Sequence, residues 1–143
     1  MSVQARATRG LLDTSTLMLL TGITDPELLP EEPLISAVTL AELSVGPLVA
    51  TTEEGRSARQ AHLQQAEADF DPLSFDAAAA RAFGRVAASL RQAGRKPAAR
   101  AYDAMIAAVA IANGLPLFTC NPEDFGGIDD LDVVAIPHPD AGR

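Results

Sequence analysis

Four acidic residues stand where a chain could use them as a group: Asp13, Glu42, Asp103 and Asp124. Asp13 closes the apolar run Gly10-Leu11-Leu12, and Glu42 follows the run that starts at Leu34. Asp103 heads Ala104 to Ala112, apolar at every position, and Asp124 comes just after Leu115 to Phe118. An ionised carboxylate at the edge of a core is costly unless something pairs with it. Two of them roughly 4 Å apart repel by about 4 kcal/mol at an effective dielectric near 20, so protons or a cation must offset the repulsion. All-oxygen donors, with no suitably placed His or Cys, point to Mg²⁺ or Mn²⁺ rather than Zn²⁺. Such a cluster can activate water and steady a phosphoryl oxyanion. Taken singly, each acid reads equally well as a helix cap or a surface charge.

The elements around the acids alternate strand and helix. Gly10 to Asp13 predicts a short buried strand, with Thr14 or Ser15 capping a helix through Leu20. Thr21 to Pro33, with Gly22, Pro26, Pro30 and Pro33, reads as a loop. Leu34 to Val38 predicts a second strand, and Thr39 the cap of a helix containing Leu40, Glu42 and Leu43, with Pro47 near its end. Thr51 and Glu54 have capping-box spacing and open a longer helix to about Asp69. Asp71 to Phe75 is a short third strand or turn. Asp76 caps an Ala-rich helix that ends at Gln92 and Gly94. Pro97 opens a helix with no wet face, stopped by Asn113-Gly114, which must be buried all round. Leu115 to Phe118 and Asp132 to Ile136 complete the strands, and Pro137-His138-Pro139 ends the domain. No hairpin signal intervenes, which favours a parallel sheet covered on both faces. In such open α/β sheets, ligands bind beyond the carboxyl ends of the strands, where the four acids would lie.

A chain of 143 residues is one domain with room for a real core. No apolar run approaches the roughly 20 residues that span a bilayer, and Asp13 interrupts the only N-terminal candidate for a signal peptide. The single cysteine, Cys120, rules out an internal disulfide and fits a reducing cytoplasm. Net charge is −8, which argues against a simple nucleic-acid binder. The distribution argues the other way: residues 77–102 hold Arg81, Arg85, Arg91, Arg95, Lys96 and Arg100 without one acid, and end against Asp103. Arg81/Arg85 and Arg91/Arg95 are i, i+4 pairs, so each pair shares a helix face. That face is either solvated or tracks a polyanion.

Two other chemistries of acid-after-strand folds fail. Receiver domains and aspartyl-phosphate phosphatases need a late Lys, and the lone Lys96 sits in a turn before Pro97. Rossmann and P-loop folds need a glycine-rich phosphate loop after a strand, and none is present. Leu12-Asp13-Thr14-Ser15, Thr39-Leu40-Ala41-Glu42-Leu43, Tyr102-Asp103-Ala104-Met105-Ile106-Ala107-Ala108 and Thr119-Cys120-Asn121-Pro122-Glu123-Asp124-Phe125 resemble, in order and spacing, the PIN-domain ribonucleases of the VapC toxin type.

The resemblance spans residues 10–137, leaving 1–9 as a flexible arm and 138–143 as a tail. It implies a five-stranded parallel sheet in the order 3-2-1-4-5 flanked by helices, a Mg²⁺ site in which Mn²⁺ can substitute, and RNA cleavage. It implies a cognate antitoxin, whose tail would place an Arg or Lys among the acids. It also implies a homodimer through the helices after the second and third strands. Asp13, Glu42, Asp103 and Asp124 match the acidic quartet as metal ligands and catalytic residues, and Ser15, Thr119 and Asn121 match the polar groups around it. Cys120 stands where the family often has a basic residue, and the arm is longer than usual.

The function so implied is a metal-dependent endoribonuclease, the toxin of a type II toxin–antitoxin system. The segment carrying Arg81, Arg85, Arg91, Arg95 and Arg100 would hold the RNA backbone. The rivals are a non-catalytic PIN-like module that binds RNA or protein, and a DNA-directed nuclease of related fold. Cys120 reads as a buried structural thiol rather than a nucleophile, and His62 and His138 as solvated.

Overall fold

The computed structural model describes residues 8–140. The parts of the expected arm and tail that fall in 1–7 and 141–143 lie outside them. In chain order the elements are β1 (Arg9–Leu12), α1 (Thr14–Met18), β2 (Glu32–Leu34), α2 (Ala37–Leu48), α3 (Glu53–Asp69), α4 (Ala77–Gln92), α5 (Ala101–Ala112), β3 (Leu117–Thr119) and β4 (Val133–Ala135). Short 3₁₀ turns punctuate the loops at Leu20–Gly22, Pro26–Leu28, Pro97–Arg100 and Pro122–Phe125.

The sheet is parallel, in the order β2-β1-β3-β4, and pairs Leu11 with Leu34 on one side and with Leu117 on the other. Successive strand side chains point to opposite faces, and the core divides accordingly. Leu11 and Leu117 join a cluster with Ala82, Val86, Leu90, Ile106 and Val109 of α4 and α5. Leu12 and Phe118 join a second cluster with Ile35, Leu43, Ala66 and Ile136. From Ile106 to Ala110, α5 is wholly buried, as its lack of polar residues requires. Two positions require glycine, one for its backbone angle and one for space. Gly114 adopts a φ of +63° to stop α5. At Gly10 a Cβ would lie 2.5 Å from the Phe118 ring, so only glycine lets that ring cross β1.

Among the described residues the sheet has four strands, not the expected five. The third predicted strand, Asp71 to Phe75, is reduced to one bridge between Leu73 and Ser36. Leu73 N–H donates to the Ile35 carbonyl at 2.9 Å, and the Leu73 carbonyl accepts from Ala37 N–H at 2.8 Å. The ladder stops there because the chain enters α2 at Ala37 and has no further extended backbone to offer, and Pro72 carries no N–H. The strand position is thus that of the 3-2-1-4-5 order, occupied by a single residue.

Capping shifts the other boundaries. Asp13 itself, not Thr14 or Ser15, caps α1. Ser36 caps α2 in place of Thr39, ending the second strand at Leu34 rather than Val38. Thr52 rather than Thr51 caps α3 by accepting from Gly55 N–H at 3.0 Å. Pro97 opens a 3₁₀ turn, and α5 proper begins at Ala101. Arg9 already lies in β1, and the Thr8 carbonyl accepts from Glu32 N–H at 2.8 Å.

Candidate active site

Parallel register creates the first half of the site. Leu12 pairs with Phe118, so the next residues on the adjacent strands, Asp13 and Thr119, meet at the carboxyl edge. Thr119 Oγ1 donates to Asp13 Oδ2 at 2.9 Å, and Ser15 Oγ donates to the same oxygen at 3.3 Å. Thr16 N–H donates to Asp13 Oδ1 at 3.2 Å, so the capping bond of α1 is also a bond to a site carboxylate. Asn121 ties the net together, its Nδ2 donating to Ser15 Oγ at 3.0 Å and its N–H to Thr119 Oγ1 at 2.9 Å. Asp13 is 3% exposed yet has three donors. Glu42 projects from α2, where Thr14 Oγ1 donates to its Oε1 at 2.6 Å and lies 3.0 Å from the Thr39 hydroxyl.

The second half is built on charge. Asp103 lies in the first turn of α5 and Asp124 in the 3₁₀ turn after β3. Between them sits the Arg100 guanidinium, 2.6 Å from Asp124 Oδ1 and 3.8 Å from Asp103 Oδ2. Burial pushes the Asp103 carboxyl up to about 6, and repulsion from Asp124, Asp13 and Glu42 adds to it, with Arg100 opposing. Asp103 is thus the acid on which the other three bear. Burial also raises Glu42; the Thr14 hydrogen bond opposes that, and the charge on Asp13 reinforces it. An open cleft of about 320 Å³ adjoins this half, lined by Glu42, Ala98, Ala99, Arg100, Tyr102 and Asp103 among others.

Among the described residues no three His, Cys, Asp or Glu side chains stand close enough, as placed, to hold a metal ion together. The donor chemistry still suits a hard divalent cation: carboxylates flanked by hydroxyls and an amide, with mutual repulsion that positive charge relieves. Arg100 is a cation already standing between two of the four.

The PIN domain family matches residues 11–131. This chain belongs to the PIN-domain family. It is similar to Ribonuclease VapC5 of Mycobacterium tuberculosis, 38% identical over 129 residues that cover 89% of this chain and 93% of the relative. It is 34% identical to Ribonuclease VapC4 of the same organism over 102 residues, 71% of this chain and 75% of the relative. A crystal structure of VapBC-5, a toxin–antitoxin system from Mycobacterium tuberculosis, matches with a TM-score of 0.77 at 34% identity, covering 90% of this chain and 99% of that one.

The PIN domain scatters the arginines that sequence grouped together. Arg81, Arg85 and Arg91 are exposed along α4. Arg95 instead braces the loop after β3, with its Nη1 donating to the carbonyls of Gly126 and Glu123. Arg100 belongs to the acid cluster. Cys120 is buried; burial first, then the charge on Asp13, raises its thiol, while the Thr16 hydroxyl opposes. A thiol so placed is a poor nucleophile. His62 is exposed on α3, whereas His138 is half-buried and its Nδ1 accepts from Asp140 N–H at 3.1 Å.

Sequence reasoning missed Thr14 and Thr16, whose hydroxyls serve Glu42 and the Cys120 N–H, and Tyr102, half exposed at the cleft rim. The run Asp13-Thr14-Ser15-Thr16 carried a signal for the first two. Three hydroxyls in succession after a strand exceed what one cap needs.

Proposed function

We infer that this PIN domain is the toxin of a type II toxin–antitoxin system, a metal-dependent endoribonuclease that hydrolyses RNA phosphodiester bonds. The observation that carries the reading is that Asp13, Glu42 and Asp124 all bear on Asp103, whose carboxyl is raised to about 6 by burial first and by their repulsion next. The ribonuclease names of its relatives and the toxin–antitoxin complex it resembles support the same reading.

These four acids would hold Mg²⁺ or Mn²⁺. Bound there, the cation supplies the Lewis acid that activates water and neutralises the phosphoryl oxygens. The chain's own residues do the positioning. Thr119, Ser15 and the Thr16 N–H hold the Asp13 carboxylate in one orientation, and Asn121 holds two of those donors. Thr14 does the same for Glu42. Arg81, Arg85 and Arg91 supply the exposed positive face for the RNA backbone. Arg95 and Arg100 reach RNA only by leaving their present partners.

The partner is a cognate antitoxin that neutralises the acids with an Arg or Lys, since a guanidinium can pair with clustered carboxylates. The PIN domain proper spans 10–137 and pairs as a homodimer through the helices after β2 and the Leu73 bridge. Val45, Leu48 and Val49, exposed at the end of α2, supply apolar surface for such an interface. The single cysteine fits work in the reducing cytoplasm, and among the described residues no helix is long and apolar enough to cross a membrane.

The test is inducible expression of wild type and Asp13→Asn, followed by mapping of new RNA ends. Wild type should generate discrete new ends and arrest growth, and the variant should do neither. In vitro cleavage that persists through thorough chelation would remove the metal from the mechanism.

A further inference from the structure

Arg100 is the one Arg or Lys, among the described residues, in ion-pair contact with the four acids. It ends the 3₁₀ turn Pro97–Arg100 and occupies the N-cap position of α5, where it makes no side-chain capping bond. Its neighbours Ala98, Ala99 and Ala101 are small, and all line the same cleft. Its grip on the acids is uneven: 2.6 Å to Asp124, 3.8 Å to Asp103, one nitrogen serving both. Arg–carboxylate pairs are frequently bidentate, and the second parallel bond adds energy that this pairing lacks. With its side chain 39% exposed, this one has an open route to solvent.

The site thus contains its own positive charge, placed between two of the residues that would ligate a divalent cation. Both cannot occupy that space.

We propose that Arg100 is an internal counter-ion that closes the Asp103–Asp124 half of the site in the metal-free protein and must swing off Asp124 when the divalent cation enters. The proposal rests on the metal-dependent reading above. Its consequence is a raised threshold for the cation: loading requires Arg100 to be displaced, so the wild-type site binds metal more weakly than its four acids would alone.

The experiment is calorimetric titration of metal-free protein with MnCl₂, for wild type, Arg100→Gln, Arg100→Lys and Arg91→Gln. Arg100→Gln should tighten Mn²⁺ binding by about tenfold, the equivalent of one ordinary ion-pair contact. Arg100→Lys should fall between it and wild type. Arg91→Gln, which removes an equal charge from the exposed face of α4, should change affinity less than about twofold, because exposed charges beyond a Debye length are largely screened.

A second readout follows the side chain itself. The wild-type Arg100 Nε–H resonance, identified by its loss in Arg100→Lys, should shift with Mg²⁺ over the same concentrations that saturate binding. Unchanged or weaker Mn²⁺ binding by Arg100→Gln, with wild type binding normally, would overturn the proposal. So would an equal gain in Arg91→Gln, which would reduce the effect to net charge. Absence of Mn²⁺ binding in every variant, including wild type, would instead bring down the metal-dependent reading itself. Thermal unfolding in saturating Mn²⁺ covers the case of a poorly folded Arg100→Gln: its stabilisation by the cation should exceed that of wild type, and an equal or smaller gain counts against the counter-ion role.

Discussion

The two halves of the acid cluster solve one problem in opposite ways. Around Asp13 the donors are neutral: two hydroxyls, both held by Asn121, and a backbone N–H. Around Asp103 and Asp124 the partner is a single guanidinium, and solvent still reaches all three side chains. Neutral donors satisfy a carboxylate without cancelling its charge. Asp13 accordingly acts on its surroundings, its charge contributing to the raised Glu42, Asp103 and Cys120. The Asp13 half is a source of negative field held by neutral donors, and the Asp103 half is where that field is answered by the Arg100 guanidinium.

The largest way to break this contrast is Asp13→Asn. Asn can still cap α1, so the fold should survive, but the field source is gone. Cleavage should fall by at least about a hundredfold, the equivalent of losing several kcal/mol of charge stabilisation. The Asp103 carboxyl, followed by NMR titration, should move down from about 6, because Asp13 is one of the groups that raises it. A titration that stayed in place would separate the two halves.

Thr119→Val tests whether the hydroxyl net orients Asp13. The change keeps shape but removes the donor to Asp13 Oδ2 and the acceptor for Asn121 N–H. Denaturant unfolding should show a loss of about 2 kcal/mol, since a buried carboxylate oxygen is left short of a partner. A loss below about 0.5 kcal/mol would mean that Ser15 and Thr16 suffice.

Asp103→Asn sharpens the comparison through pH. The fold raises this carboxyl from 3.8 to about 6, so the folded state holds its proton more tightly than the unfolded chain. Between those values the unfolded chain ionises first, and wild-type metal-free stability declines as pH rises; below them there is no difference, and above them the penalty is constant. The variant should therefore match wild type near pH 4 and exceed it above pH 6, by about 1–2 kcal/mol once solvent screening of this partly exposed group is allowed for. Thermal melts across that window in EDTA provide the measurement, and a variant less stable than wild type at pH 7 would reverse the sign.

The smallest effect lies outside both halves. Arg85→Gln together with Arg91→Gln should flatten the dependence of log RNA affinity on log salt by about one unit, at roughly 0.7 per single-strand phosphate contact. All RNAs should weaken alike, with Mn²⁺ binding unchanged. An unaltered slope would assign the exposed face of α4 to another partner.

What sequence determined here is whatever a local pattern can state. The nine apolar residues from Ala104 to Ala112 have no soluble arrangement other than a buried helix, and α3 and α4 are legible from caps and composition. Asp13 was legible as the residue that ends a strand and Asp103 as one in the first turn of a helix, whereas Glu42 lies mid-way along α2 and Asp124 in the 3₁₀ turn after β3. Local rules failed where two neighbours compete for one job. Asp13 displaces Thr14 and Ser15 as a cap, and Ser36 displaces Thr39, because the strand before each helix ends one or more residues earlier than hydrophobicity suggests. The fifth strand failed for the same reason, its partner having already turned into α2 at Ala37.

Only tertiary structure decided who partners whom. Thr119 reaches Asp13 across 106 positions because parallel register sets Leu12 against Phe118, and a slip of one residue would send that hydroxyl to the other face. Arg95 and Arg100 are five apart in one basic segment, yet one braces carbonyls after β3 and the other answers two acids. Charge pattern along a chain gives the sign of a side chain. Its partner depends on distances of 2–4 Å, which long-range packing sets and no local periodicity encodes.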